Sequence, residues 1–236
     1  MSRFSEKLAT RCPKCRLRPT LCLCSEFPEL RPVRTFLRLV IHRLEGKTTT
    51  NTGLLACEAL PGSKVFWRGV QSQRTEAKSF SAETFFQPET TPIFLYPAPD
   101  AQVLDAQWLS SRLRVDAQEK FTLVVPDGTW SQARKVGSRE RALRDLLRVT
   151  LPLGSPSEYR LRREPHPHFV CTYEAIARAL GVLEGPEIQI QMEQLFRKFI
   201  GRQLWSRGDL RDDEVLGRIP EAAKIERLRS GFPKRY

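Results

Sequence analysis

Thr122-Leu123-Val124-Val125-Pro126-Asp127-Gly128-Thr129-Trp130-Ser131-Gln132-Ala133-Arg134-Lys135 is the stretch on which the reading of this chain turns. An apolar, β-branched run makes a strand, a polar cluster stops it, and a helical pattern begins at once. In an open α/β sheet, ligands bind at the carboxyl end of a strand. The loop and helix N-terminus that follow present unpaired N–H groups and freely aimed side chains there. Asp127, Thr129 and Trp130 therefore stand where a site is expected. On these residues alone a second reading stays open, in which Asp127 or Thr129 caps the helix and Trp130 packs in the core.

On either side the same alternation repeats. Strand-length apolar runs occur at residues 36–41, 65–67, 93–96, 122–125 and 149–151, each closed by Pro, Gly or Asp. Helical patterns fall at Thr52–Leu60, Asp105–Leu113, Ser131–Leu147, Thr172–Leu180 and Glu187–Leu204, with Gly137 expected to break or kink the third. In the last, Ile188, Met192, Leu195, Phe196, Phe199 and Ile200 recur at helical spacing and mark a core face. The alternation predicts an α/β fold with a mostly parallel sheet. Gly46-Lys47-Thr48 mimics the end of a phosphate-binding loop, but Ile41 stands where the earlier glycine is needed, and no G-x-G-x-x-G follows any strand.

The chain of 236 residues suffices for one large domain with a small appendage. Lys and Arg total 39 against 27 Asp and Glu, so the formal charge is +12, and the positive residues are spread along the length. Such a surface attracts a polyanion, with nucleic acid the first expectation and a merely well-solvated surface the alternative. No apolar run reaches the length of a membrane span and the N-terminus has no apolar signal segment, so a soluble, cytoplasmic protein is expected. Four of the six cysteines fall within thirteen residues: Cys12-Pro13-Lys14-Cys15, six residues, then Cys22-Leu23-Cys24. Two tight thiol turns at that spacing can close tetrahedrally on Zn²⁺. A four-thiolate site leaves no open position, so the zinc is read as structural, with Lys14, Arg16 and Arg18 offered to phosphates. Redox-active or simply reduced thiols are the rival reading. The domain plan is a zinc knuckle at 1–31, a catalytic domain at 32–205 and a basic extension at 206–236, ending in a mobile tail from Arg227.

Asp127-Gly128-Thr129-Trp130 resembles the D-x-T-W signature of the DTW-domain family, the tRNA-uridine aminocarboxypropyltransferases. The resemblance extends to the cysteine knuckle, to His42-Arg43-Leu44-Glu45 followed by Asn51-Thr52-Gly53, to Leu95-Tyr96-Pro97, and to Cys171-Thr172-Tyr173-Glu174-Ala175. In that last segment Cys171 replaces a usual serine. The resemblance covers most of residues 12–180. It implies a SPOUT-like knotted sheet with helices on both faces, which holds S-adenosylmethionine on several strand-end loops. It also implies transfer of the donor's 3-amino-3-carboxypropyl group to N3 of a tRNA uridine, with release of methylthioadenosine.

On that footing Asp127, Thr129 and Trp130 are the candidate catalytic residues. Tyr96, Pro97, Thr129, Ser131, Leu151, Thr172 and Glu174 are candidates for holding the donor, with Glu174 facing its α-ammonium. His42, Asn51, Thr52, Arg134, Lys135 and Arg162 are candidates for the RNA, joined by Arg139, Arg141, Arg160 and Arg163. His42 can equally be a hydrogen-bonded structural histidine, and Asn51 a helix cap. His166 and His168 lack a third ligand and are assigned to a proline-rich loop near the RNA rather than to a metal. An aspartate of reference pKa near 3.9 matches the weakly acidic uridine N3–H poorly. Burial beside Trp130 must therefore raise it, or Asp127 serves to orient N3–H. Three functions remain distinguishable: the aminocarboxypropyl transfer, RNA methylation on a related fold, and a non-catalytic zinc-containing RNA-binding module. Partners are tRNA and no membrane, and no obligate protein partner is indicated; a monomer is slightly favoured.

Overall fold

The computed structural model describes residues 10–68, 81–161 and 169–230. Six strands, Thr35–His42 (β1), Lys64–Arg68 (β2), Thr91–Leu95 (β3), Gln102–Val103 (β4), Phe121–Asp127 (β5) and Leu147–Thr150 (β6), pair in the order β2-β1-β5-β3-β6-β4. Every pairing is parallel. The described helices are Thr52–Ala59 (α1), Ala82–Phe85 (α2), Ala106–Leu113 (α3), Trp130–Arg139 (α4), Thr172–Leu183 (α5), Pro186–Arg207 (α6) and Glu221–Ser230 (α7). None of them is long and apolar enough to cross a membrane.

The central strands are apolar on both faces because both are covered, as parallel sheets require. Leu37, Leu39, Ile41, Leu123 and Val125 join the larger core with residues of α1, α3, α5 and α6. Val40, Phe94 and Val124 alternate with them and meet Phe85, Val136 and Leu143 on the opposite face. Arg38 of β1 is fully buried there. Its guanidinium donates to the carbonyls of Phe85 (2.8 Å), Leu37 (3.0 Å) and Gly62 (3.2 Å) and to Gln87 Oε1 (3.1 Å).

Two expectations from periodicity are corrected. The pattern at 131–147 is not one helix: α4 ends at Arg139, a short turn covers Arg141–Leu143, and Leu147 already begins β6. Nor does Gly137 break α4. It is buried, and a Cβ there would lie 3.2 Å from the Phe94 ring, so the glycine lets the helix approach the sheet closely.

The knuckle and the C-terminal extension pack more tightly than composition suggested. Leu17, Leu21, Leu23 and Leu30 are buried in the same core as the sheet. Arg202 of α6, only 2 % exposed, donates to the carbonyls of Leu21 (3.1 Å) and Cys22 (2.8 Å) and pairs with Glu26. Val215, Ile219 and Ala223 are buried too. Glu226 of α7 accepts from Arg18 (3.0 Å) and Thr20 (2.5 Å), while the Arg227 guanidinium lies 4.5 Å from the centre of the Trp205 ring. Packing therefore runs across both expected boundaries, near 31 and near 205. Residues up to 230 in the extension are ordered by it, and the last six lie outside the described residues.

Candidate active site at the carboxyl end of the sheet

β5 ends on Asp127, a buried residue only 7 % exposed. Two chain-distant groups donate to it: Asn51 Nδ2 at 2.6 Å to Oδ2 and Thr172 Oγ1 at 2.5 Å to Oδ1. Asn51 is the N-cap of α1 and uses its Oδ1 to accept from Leu54 N at 2.8 Å. Its amide is thus fixed in one orientation, with the NH₂ aimed at Asp127. Gly53 belongs to the same contact. A Cβ there would sit 2.9 Å from Asp127 Oδ2, so a side chain would push α1 off the carboxylate. One aspartate thereby ties the end of the central strand to the first turns of two helices.

Around it opens a cleft of about 510 Å³, within the range of pockets that enclose a small molecule. Its lining includes Asn51, Thr52, Tyr96, Pro97, Asp127, Thr129, Trp130, Leu151 and Thr172. Three strand-end loops converge, after β3, β5 and β6. Trp130 does not pack in the core. It is 36 % exposed, and its ring lies 4.3 Å from Phe169 and 6.2 Å from Tyr96, so the three rings form one aromatic wall. Thr129 is both wall and cap, its hydroxyl accepting from Gln132 N at 3.3 Å and its N–H donating to Gln132 Oε1 at 2.8 Å.

Other expected members lie elsewhere. Ser131, Arg134 and Lys135 are exposed on α4 and do not line the cleft. His42 is half-buried and accepts from Leu44 N at 3.3 Å through Nδ1, which is the structural alternative. Arg162, Arg163, His166 and His168 are outside the described residues. Glu174 faces a second, smaller cleft of about 390 Å³. Its carboxylate accepts from Ser157 Oγ (2.6 Å), Glu158 N (2.6 Å) and Cys171 N (3.0 Å), so it anchors the 157–158 loop to the start of α5. Cys171 completes this cap with its thiol in the position a hydroxyl would take, and burial, then the Glu174 charge, push that thiol well above its ordinary pKa. Replacing Glu174 with Ala leaves the N–H of buried Cys171, the N–H of Glu158 and the Ser157 hydroxyl without this acceptor. Unfolding stability should fall by about 1–3 kcal/mol in a urea titration. An unchanged midpoint would show the loop to be held by other contacts.

Several lining residues escaped the sequence reading. Phe169 precedes the cap of α5, Tyr159 donates to Thr50 O at 3.0 Å, and Arg178 lies two turns along α5 from Thr172. Only the spacing Thr172, Ala175, Arg178 carried a signal, three lining residues at helical intervals.

The knuckle sulfurs form a second constellation. Cys12 and Cys24 lie 3.5 Å apart, Cys12 and Cys22 3.6 Å, Cys15 and Cys22 3.7 Å, and all four are within 4.8 Å of one another. Thiolates about 2.3 Å from a shared tetrahedral zinc would be separated by about 3.8 Å, so the donor set and spacing fit that ion. Burial raises the Cys15 thiol to about 11; Cys12 is brought to about 7 despite burial, by the N–H groups of Cys15 and Lys14 and the thiols of Cys24 and Cys22. The expected phosphate role of the knuckle cations is corrected for two of the three. Arg16 donates to Gly46 O (2.5 Å) and Thr48 O (3.2 Å), fixing the loop that imitates a phosphate-binding loop, and Arg18 pairs with Glu226. Lys14 is exposed.

Residues 9–204 match the model of the DTW domain. The chain is 30 % identical over 184 residues to the tRNA-uridine aminocarboxypropyltransferase 2 of Drosophila melanogaster, covering 76 % of this chain and 69 % of that one. It is 27 % identical to the protein of the same name from Mus musculus (73 % and 56 % covered) and 25 % identical to the tRNA-uridine aminocarboxypropyltransferase A of Arabidopsis thaliana (80 % and 79 %). No solved structure matches. The strand-end aspartate, its aromatic wall and the cysteine knuckle thus lie within one matched domain, and the chain belongs to the DTW-domain family.

Proposed function

We propose that this chain is a tRNA-uridine aminocarboxypropyltransferase. It would move the 3-amino-3-carboxypropyl group of S-adenosylmethionine to N3 of a uridine in tRNA and release methylthioadenosine. The names of its relatives support the reaction class. The observation that carries it to residues is the clasped Asp127 carboxylate at the edge of an aromatic-walled cleft. The donor's sulfonium makes the adjacent methylene carbon electrophilic. Asp127 accepts the N3–H hydrogen bond and then the proton, N3 forms the new bond to that methylene, and the carbon–sulfur electrons return to sulfur. Asn51 and Thr172 hold the carboxylate in line for that task, and Trp130 and Phe169 offer faces on which an adenine or uracil stacks.

The wider reading has three supports. Pairing of β6 between β3 and β4 obliges the 96–101 connection to pass β6, which supports a relation to the knotted SPOUT class. The four thiols are the proposed ligands of a structural zinc. Exposed Arg134, Lys135, Arg139, Arg141 and Arg160 supply positive charge for the tRNA backbone. Binding of tRNA is accordingly expected to weaken steeply between about 50 and 200 mM salt; a flat salt response would remove the phosphate-tracking surface from the proposal. The deciding experiment incubates the protein with unmodified tRNA and S-adenosylmethionine labelled separately on its methyl and carboxypropyl carbons. Carboxypropyl label in RNA with methylthioadenosine released establishes the reaction. Methyl label in RNA makes the protein a methyltransferase instead, and tight binding without either label across a range of tRNAs makes it a binding module.

A further inference from the structure

Resting on that reading, we infer that Arg178 binds the α-carboxylate of the donor's amino-acid chain and so selects an aminocarboxypropyl donor. Thr172, Ala175 and Arg178 form the half-buried face of α5 and all line the larger cleft. Thr172 contacts Asp127 at one end of this face (2.5 Å). Arg178 stands six residues further on, about 9 Å along the helix axis. Charged lining residues among those described are Glu45, Asp127 and Arg178, so Arg178 is the one cation among the described lining residues.

Its guanidinium, which also borders the second cleft, is held without an ion pair among the described residues. One nitrogen donates to Ser155 O at 2.8 Å, and no carboxylate pairs with it among the described residues. A guanidinium has five N–H donors in a planar fork suited to a carboxylate, so most of that capacity is left for a ligand. Gly154 keeps the space open: a Cβ there would lie 3.2 Å from an Arg178 terminal nitrogen. The chemistry of the donor requires such a partner. Three carbon–carbon bonds separate the reacting methylene from the carboxyl carbon, about 4 Å, and a charge-assisted hydrogen bond adds about 3 Å. That length is commensurate with the interval along α5 between the Asp127 contact and Arg178. A methyl-transferring enzyme leaves this chain on the by-product. An aminocarboxypropyl-transferring one must grip the chain that moves, and binding its carboxylate fixes where the methylene points.

Calorimetric titration of wild type, Arg178→Ala and Arg178→Lys with S-adenosylmethionine and with methylthioadenosine, which lacks the amino-acid chain, tests the inference. Arg178→Ala should weaken S-adenosylmethionine binding about 10- to 100-fold and leave methylthioadenosine within about two-fold, which also shows the variant folded. Lysine should restore part of the loss, because it keeps the charge without the fork. An equal fall for both ligands, or none for S-adenosylmethionine, overturns the role of Arg178 while leaving the proposed reaction standing. Wild type that binds neither ligand overturns the proposed reaction, and the role of Arg178 with it.

Discussion

Asp127→Asn is expected to lower single-turnover transfer to tRNA by about 10²- to 10⁴-fold, the usual contribution of a positioned proton acceptor, with tRNA affinity nearly unchanged. The substitution keeps the shape of the side chain and removes its ability to take a proton. It also turns one of the two acceptors at 2.6 and 2.5 Å into an NH₂. The Thr172 hydroxyl can rotate to accept from it, whereas the Asn51 amide is pinned by its bond to Leu54 N. The clasp is therefore altered at one point and the fold is kept. Asp127→Ala is the harsher variant. It leaves Asn51 Nδ2 and Thr172 Oγ1 without this acceptor, at about 1–3 kcal/mol of stability. Measuring unfolding and turnover for both variants separates the roles. If Asp127→Asn loses stability but keeps turnover within a few-fold, the carboxylate is only a clasp between β5, α1 and α5, and the proton goes elsewhere.

Removing metal from the knuckle should have the largest effect on stability. Purified protein is expected to carry one zinc per chain, and chelation or Cys15→Ser should lower Tm by at least about 10 °C, since 1 kcal/mol corresponds to about 2–4 °C in a chain of this size. Structural zinc contributes on the order of 10–16 kcal/mol in isolated fingers, against a total stability of about 5–15 kcal/mol. Here the loss would spread. Leu17, Leu21, Leu23 and Leu30 belong to the core shared with α6, and the buried Arg202 depends on the Leu21 and Cys22 carbonyls and on Glu26. Without the knuckle that guanidinium would be buried with no partner, among the costlier defects available to a fold. Arg16 would also release the 46–48 loop beside the cleft, coupling zinc loss to the site. Metal-free protein with an unchanged Tm would show the thiols to be incidental.

How far this could be read in advance differs from element to element. Asp105 and Asn51 cap their helices as side-chain chemistry dictates, and α1, α3, α5 and α6 begin within a residue or so of where capping and proline place them. The Ser131–Leu147 pattern misled because apolar residues of α4, a turn and β6 follow one another at spacings that a single helix would also produce. For the extension, composition carries only its basic charge and a tail from Arg227, whereas the burial of Ala223 and the Glu226 contacts of α7 exist only once the knuckle is beside it.

The sequence by itself determined the parallel α/β alternation, the four-cysteine cluster and the polar strand end of β5 on which the cleft opens, because periodicity, cysteine spacing and strand-end chemistry act over a few residues. The tertiary structure decided the rest. The crossovers order the strands, and that order brings Asn51 and Thr172, 76 and 45 residues from Asp127, onto one carboxylate. It likewise sets Glu174 to holding a loop and turns Arg178 to the cleft. Contacts between residues so far apart depend on which helices cover which face of the sheet, and no local pattern encodes that choice.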